Sequence, residues 1–143
     1  MPTNKIVLDT NCLLVSISRR SKFYPVWKGL LEGRYILCVT TEILAEYEEI
    51  ISQMVTHEVA NNVIRTMLDS EFVQLIDPHY HLHLITADPD DNKFVDCAFA
   101  AGATYIVSDD SHYDILKDVP FPQFLVLKLK AFLEKIVRDN ISH

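Results

Sequence analysis

Ile6-Val7-Leu8-Asp9-Thr10-Asn11 is an apolar run that stops on a carboxylate and continues into residues that open helices well. Similar apolar runs recur downstream at Tyr35–Val39, Tyr105–Val107 and Phe124–Leu127. They are rich in Val, Ile, Tyr and Phe and do not alternate with polar residues, the pattern of strands covered on both faces. Between and after them the sequence predicts helices over roughly residues 12–18, 24–32, 41–55, 57–70, 91–101 and 128–138. Strands alternating with helices predict an α/β fold. The expected architecture is a three-layer α/β/α single domain over residues 1–143, with a central parallel sheet of four or five strands.

Two helix starts are clear. Thr40-Thr41-Glu42 precedes Ile43, Tyr47, Ile50 and Met54, which share one helical face. Asp88-Pro89-Asp90-Asp91 precedes Phe94, Val95, Ala98 and Ala101, and Gly102 is the stop. Between residues 77 and 87 only the Asp77-Pro78 turn is readable.

The chain has 143 residues, 49% hydrophobic and 23% charged, which excludes disordered and low-complexity classes. At roughly 150 residues per domain it is one unit, able to bury a sizeable core. No apolar run approaches the roughly 18 residues of a membrane span. Met1 to Lys5 lead into a strand without a signal-peptide h-region. The net charge of −7 argues against a generic nucleic-acid binder, although Arg19, Arg20, Lys22, Lys28 and Arg34 concentrate positive charge in one segment. Cys12, Cys38 and Cys97 are odd in number and lack metal spacing, so they read as reduced core thiols of a cytoplasmic protein.

In an open parallel sheet the working crevice lies outside the C-terminal strand ends. Asp9 follows the first strand, and Asp109 and Asp110 follow Tyr105–Val107 with Ser108 between, so both groups fall on one sheet edge. Asp9 alone could equally be a helix cap. Asp91 shares a helical side with Val95 and Ala98 and points inward, whereas Asp96, about 140° away, faces elsewhere. Asp88 and Asp90 fit a solvated first turn. Glu46 and Glu48 flank the apolar face of their helix at similar angles, and periodicity does not choose between them. Converging carboxylates repel by roughly 4 kcal/mol per pair at an effective dielectric near 20, so they either protonate or hold a cation. A cluster of hard oxygen ligands selects Mg²⁺ or Mn²⁺. Such ions activate water and stabilise charge on a displaced phosphate oxygen, the chemistry of a phosphodiester hydrolase.

These residues resemble the PIN domain (PilT N-terminus) nucleases, in the branch of toxin components of bacterial type II toxin–antitoxin pairs (VapC-like). The anchors are Ile6 to Asn11, Thr41 to Glu49, Asp88 to Phe94, and Tyr105-Ile106-Val107-Ser108-Asp109-Asp110. The resemblance implies four acids, Asp9, Glu46, Asp91 and Asp110, with Asp9, Asp91 and Asp110 on the metal and Glu46 binding or orienting the attacking water. It implies that Ser108 fills the family's Thr/Ser position and that Asn11 orients the carboxylates. It further implies single-stranded RNA as substrate, Mg²⁺ or Mn²⁺ as cofactor, a homodimer and an antitoxin partner. Where many relatives carry a further aspartate, this chain has His112; Asp109 as a compensating carboxylate, or His112 against a substrate phosphate, would answer for it. Arg19, Arg20 and Lys22 are candidate phosphate contacts.

Other patterns carry less. Asp88-x-Asp90-x-Asn92 lacks the Gly and Glu of a calcium loop, having Lys93 and Phe99 there. His79, His81 and His83 would share a strand face and could chelate Zn²⁺ or Ni²⁺, though a bare histidine tract is only a compositional hint. Gly29, Gly33 and Gly102 form no phosphate loop. A phospho-receiver domain would need an acidic pair after the first strand, where only Asp9 stands. A PIN fold that binds RNA or protein without cutting is the remaining alternative.

Overall fold

The apolar runs pair side by side, because strands without polar alternation are stable only when both faces are covered. The computed structural model describes residues 4–79, 81–85, 89–118 and 125–141. Strand β1 (Lys5–Leu8) is central, between β2 (Ile36–Val39) and β4 (Tyr105–Val107). Strand β3 (Val73–Leu75) lies outside β2, and β5 (Val126–Leu127) outside β4. All pairings are parallel, with Leu8 level with Val107 and Val39 level with Leu75. The order β3-β2-β1-β4-β5 differs from the receiver order, which runs 2-1-3-4-5.

The helices are α1 (Thr10–Ser16), α2 (Tyr24–Leu31), α3 (Thr41–Met54), α4 (His57–Asp69), α5 (Asn92–Ala101) and α6 (Leu129–Ile141). Helix α5 lies across β1, β2 and β4; α3 packs on α1 and α4; α2 packs on α1 and α6. The result is the three-layer α/β/α arrangement. Ile6, Val7, Leu37, Val39 and Val107 are fully buried, each worth roughly 1.5–3 kcal/mol. Thr40 caps α3 by accepting from Ile43 N at 3.0 Å, and Gly102 ends α5 in the left-handed region at φ 66°. No helix among the described residues is long and apolar enough to cross a membrane.

Four details depart from the sequence reading. The three-residue edge strand β3 was not predicted; its residues are only partly buried and too few to show a pattern. Residues Ser111–Asp118 form a run of 3₁₀ turns in a segment given no element. The buried face of α3 is Ile43, Leu44, Tyr47 and Ile51, while Met54, at the last position of the helix, stands 68% exposed. Asp96, expected to face away, is 5% exposed, because residues 81–85 fold over α5 and Leu82 N donates to its Oδ1 at 2.9 Å. Asp88 and Phe124 lie outside the described residues.

Candidate functional site

The strand order reverses between β1 and β4, and the crevice opens beyond their C-terminal ends. Register makes Asp9 and Ser108 neighbours there, since Leu8 pairs with Val107 and Asp9 N donates to Val107 O at 3.0 Å. Asp9 occupies the N-cap position of α1, yet its carboxylate makes no capping bond. It accepts instead from the Ser108 hydroxyl at 2.8 Å. The same Ser108 oxygen accepts from Asp110 N at 3.0 Å, so one fully buried hydroxyl ties the Asp9 carboxylate to the Asp110 backbone. Burial raises the Asp9 pKa above its ordinary value, and the charges of Asp110 and Glu46 push the same way; the Ser108 bond only partly offsets them.

Glu46 and Asp91 arrive from the helices. Tyr47, fully buried, donates to Leu8 O and ties α3 to β1, which turns the adjacent Glu46 toward the crevice. Glu46 Oε2 accepts from the Thr10 hydroxyl, and its Oε1 lies 2.7 Å from Lys93 Nζ. Glu48 is exposed and takes no part. Asp91 ends the 3₁₀ turn Pro89–Asp91, and the buried Tyr113 hydroxyl donates to its carbonyl at 3.5 Å. Asn92 clamps the neighbouring segment, accepting from Ile85 N and donating to Ile85 O, both at 2.8 Å.

His112 faces the acids. Its Nδ1 lies 3.1 Å from Asp91 Oδ2 and 3.2 Å from Asp110 Oδ1, and its backbone N–H donates to Asp110 Oδ1 at 2.9 Å. Asp91, Asp110 and His112 each present a ligand atom within 4.8 Å of the others. Among the described residues this is the grouping that fits a metal ion; Asp9 adjoins it through Ser108.

The remaining expected residues are placed differently. A cleft of about 300 Å³ is lined by Asp9, Asn11, Cys12, Val15, Asp109 and Asp110. Of the two residues after Asp9 it is Thr10, rather than Asn11, that bonds a site carboxylate. Asp109 is turned to α6, accepting from Leu129 N at 2.9 Å. Arg19, Arg20 and Lys22 are exposed beyond the far end of α1 and do not line the cleft. His81 sits 3.3 Å from Asp96, and His83 has φ 51°, so the two histidines do not form the face of a strand. Burial pushes the thiols of Cys12 and Cys97 up to about 12 and that of Cys38 to about 11, which keeps all three protonated.

Lys93 escaped the sequence reading. A lysine in the first turn of a helix opposes the helix dipole, and that mismatch was the available signal for an anionic partner. Burial lowers its pKa, but the hydrogen bond and charge of Glu46, with Asp90 and Glu42, raise it further, leaving it above 10.5.

The fold is shared with solved structures. VapBC2 from Rickettsia felis, bound to a DNA fragment from its promoter, matches 87% of this chain and 98% of its own at 17% identity and TM-score 0.60. VapC20 of Mycobacterium tuberculosis, a toxin that cleaves the sarcin–ricin loop, matches 76% and 92% at 13% identity and TM-score 0.57. DNA-bound VapBC from Salmonella typhimurium matches 89% and 99% at 17% identity and TM-score 0.56. No curated protein matches the chain in sequence. The PIN domain family profile matches residues 5–112, from the first residue of β1 to His112 and across every acid of the crevice, and the chain belongs to the PIN domain family.

Proposed function

We propose that the protein is a metal-dependent endoribonuclease acting on single-stranded RNA, and that it is the toxin of a toxin–antitoxin pair. One observation carries the reading: Asp91, Asp110 and His112 stand within 4.8 Å of one another at the switch point, with Asp9 tied to Asp110 through Ser108 and Glu46 close enough to raise the Asp9 pKa. The donor set fits a divalent cation, with Asp91, Asp110 and His112 at ligand spacing and Asp9 alongside. Mg²⁺ or Mn²⁺ bound there supplies a lowered water pKa and charge stabilisation at phosphorus.

The chain's own groups do the rest. Ser108 holds the Asp9 carboxylate and the Asp110 backbone, while the His112 backbone N–H holds the Asp110 carboxylate. Glu46, with Thr10 and Lys93 fixing its two oxygens, orients the attacking water in line with the scissile bond. RNA leaving the acids along α1 passes Asn11 and Val15 and meets Arg19, Arg20 and Lys22, whose charge offsets the −7 background. The VapBC structures, complexes of related fold, support an antitoxin partner; a homodimer in the cytoplasm completes the proposal.

A second reading is a PIN fold that binds RNA or protein without cutting. It draws on Lys93 and His112, two cationic or potentially cationic side chains already seated on Glu46, Asp91 and Asp110. Cleavage of a fluorescent single-stranded RNA with Mn²⁺, Mg²⁺ or EDTA, for the unaltered chain and Asp9→Asn, separates the two. Ion-dependent cutting lost in Asp9→Asn supports the nuclease. Absence of cutting with either ion supports the binding module, and equal cutting by both proteins rejects the site.

A further inference from the structure

We propose that Nδ1 of His112 is a direct metal ligand, completing an Asp91–Asp110–His112 site of mixed nitrogen and oxygen donors that takes a first-row transition ion in preference to Mg²⁺. This rests on the metal-site reading above and changes its expected ion. The spacing supports it. Nδ1 is 3.1 Å from Asp91 Oδ2 and 3.2 Å from Asp110 Oδ1. Adjacent ligands of a six-coordinate ion with bonds of about 2.1–2.2 Å lie about 3.0–3.1 Å apart, so the two edges from Nδ1 have the length of neighbouring positions in one shell, and the third lies within 4.8 Å.

The ring is also held in place rather than merely near. The backbone N–H of His112 is tied to Asp110 at 2.9 Å. The next residue, Tyr113, is fully buried and reaches the Asp91 carbonyl. The 3₁₀ turn is therefore anchored on both sides of the imidazole. The His112 side chain keeps 36% of its surface exposed, which leaves room for water and phosphate in the remaining positions. In the metal-bound site Nδ1 carries no proton, and the neutral ring keeps its hydrogen on Nε2. Imidazole nitrogen favours Mn²⁺, Fe²⁺, Co²⁺ or Zn²⁺ over Mg²⁺, which prefers an all-oxygen shell. Asp109 does not compete for the role, because its carboxylate is engaged at the start of α6.

Pulsed electron paramagnetic resonance of the full chain loaded with Mn²⁺ tests this directly. The expected result is a ¹⁴N coupling in the unaltered protein and in His81→Gln, lost in His112→Asp. Titrating Mg²⁺ against bound Mn²⁺ should show the Mn²⁺ preference falling about tenfold or more in His112→Asp. Three results overturn the proposal: Mn²⁺ bound to the unaltered chain without nitrogen coupling, the same ion preference in both proteins, or no ion bound at millimolar concentration. The coupling is read on the unaltered chain, so a poorly folded variant does not obscure it. RNA cleavage by the same samples keeps the two ideas apart. Nitrogen-bound Mn²⁺ without cutting rejects the nuclease and leaves this site, whereas cutting without nitrogen coupling rejects this site alone.

Discussion

The Ser108 hydroxyl donates to Asp9 Oδ2 at 2.8 Å and accepts from Asp110 N at 3.0 Å, joining the ends of two neighbouring strands through a single buried oxygen. Without it the Asp110 N–H loses its acceptor and Asp9 loses a contact that lowers its pKa against burial. Ser108→Ala should therefore slow RNA cleavage by about tenfold or more at neutral pH. The acidic limb of its pH–rate profile should move to higher pH, because the Asp9 carboxyl rises further. An unchanged limb would detach Asp9 from the rate.

Asp9 also governs stability in a definite direction. Its folded pKa is raised above 3.8, so between 3.8 and the folded value the native state holds more protons than the unfolded one. Stability contributed by this group is present at low pH and declines as pH rises through that window. In EDTA, Asp9→Asn should melt above the unaltered protein at pH 7–8, with the gap closing toward pH 4. Saturating Mn²⁺ should narrow this gap, since the bound ion offsets the charge that disfavours ionised Asp9, and binding at about a hundredfold over the dissociation constant adds about 2.7 kcal/mol. Thermal unfolding of both proteins across pH, with and without the ion, checks the sign.

Lys93→Met removes the cation that lies 2.7 Å from Glu46 and 5.7 Å from the centre of the Phe94 ring, while keeping an apolar stem of similar length. The expected cost is about 1–2 kcal/mol, toward the low end for charge-assisted bonds because the Glu46 side chain is 26% exposed. Since the Lys93 pKa is raised above 10.5, the pair is intact at neutral pH and is lost only as pH climbs beyond that value through the folded pKa. Urea titrations at pH 7 and pH 11 should show the variant's deficit shrinking at the higher pH.

Asn92→Ala orphans both the N–H and the C=O of Ile85, a residue only 2% exposed. Two lost bonds to buried backbone should cost roughly 2–4 kcal/mol. Hydrogen exchange should quicken over residues 81–85 before it does in β1. Uniform acceleration across the chain would mean that the clamp is not local.

The sheet was readable because β1, β2 and β4 are continuous apolar runs, a signal carried by the residues themselves. Asp9 was readable as the first polar group past its run, whereas Ser108, Asp109 and Asp110 all follow the other, and only the resemblance singled out Asp110. Other features depended on what folds back over them. Asp96 is buried by residues 81–85, and helical periodicity carries no information about a loop arriving from outside. Glu46 and Glu48 are equivalent on a helical wheel; Thr10 and Lys93, from two other helices, distinguish them. The turn of His112 toward Asp91 required the 3₁₀ run at Ser111–Asp118, whose short polar pattern resembles any loop.

The bond from Ser108 to Asp9 spans 99 positions of sequence, and β1 gains its inner partner β4 only when the chain has passed residue 107. A nascent chain still inside the ribosome thus carries Asp9 and Glu46 long before Asp110 and His112 exist to face them. Non-local parallel pairing forms late and slowly. A polypeptide built on this plan has no assembled acid cluster until residues 108–112 have emerged. The order in which the strands are encoded sets when that cluster can close.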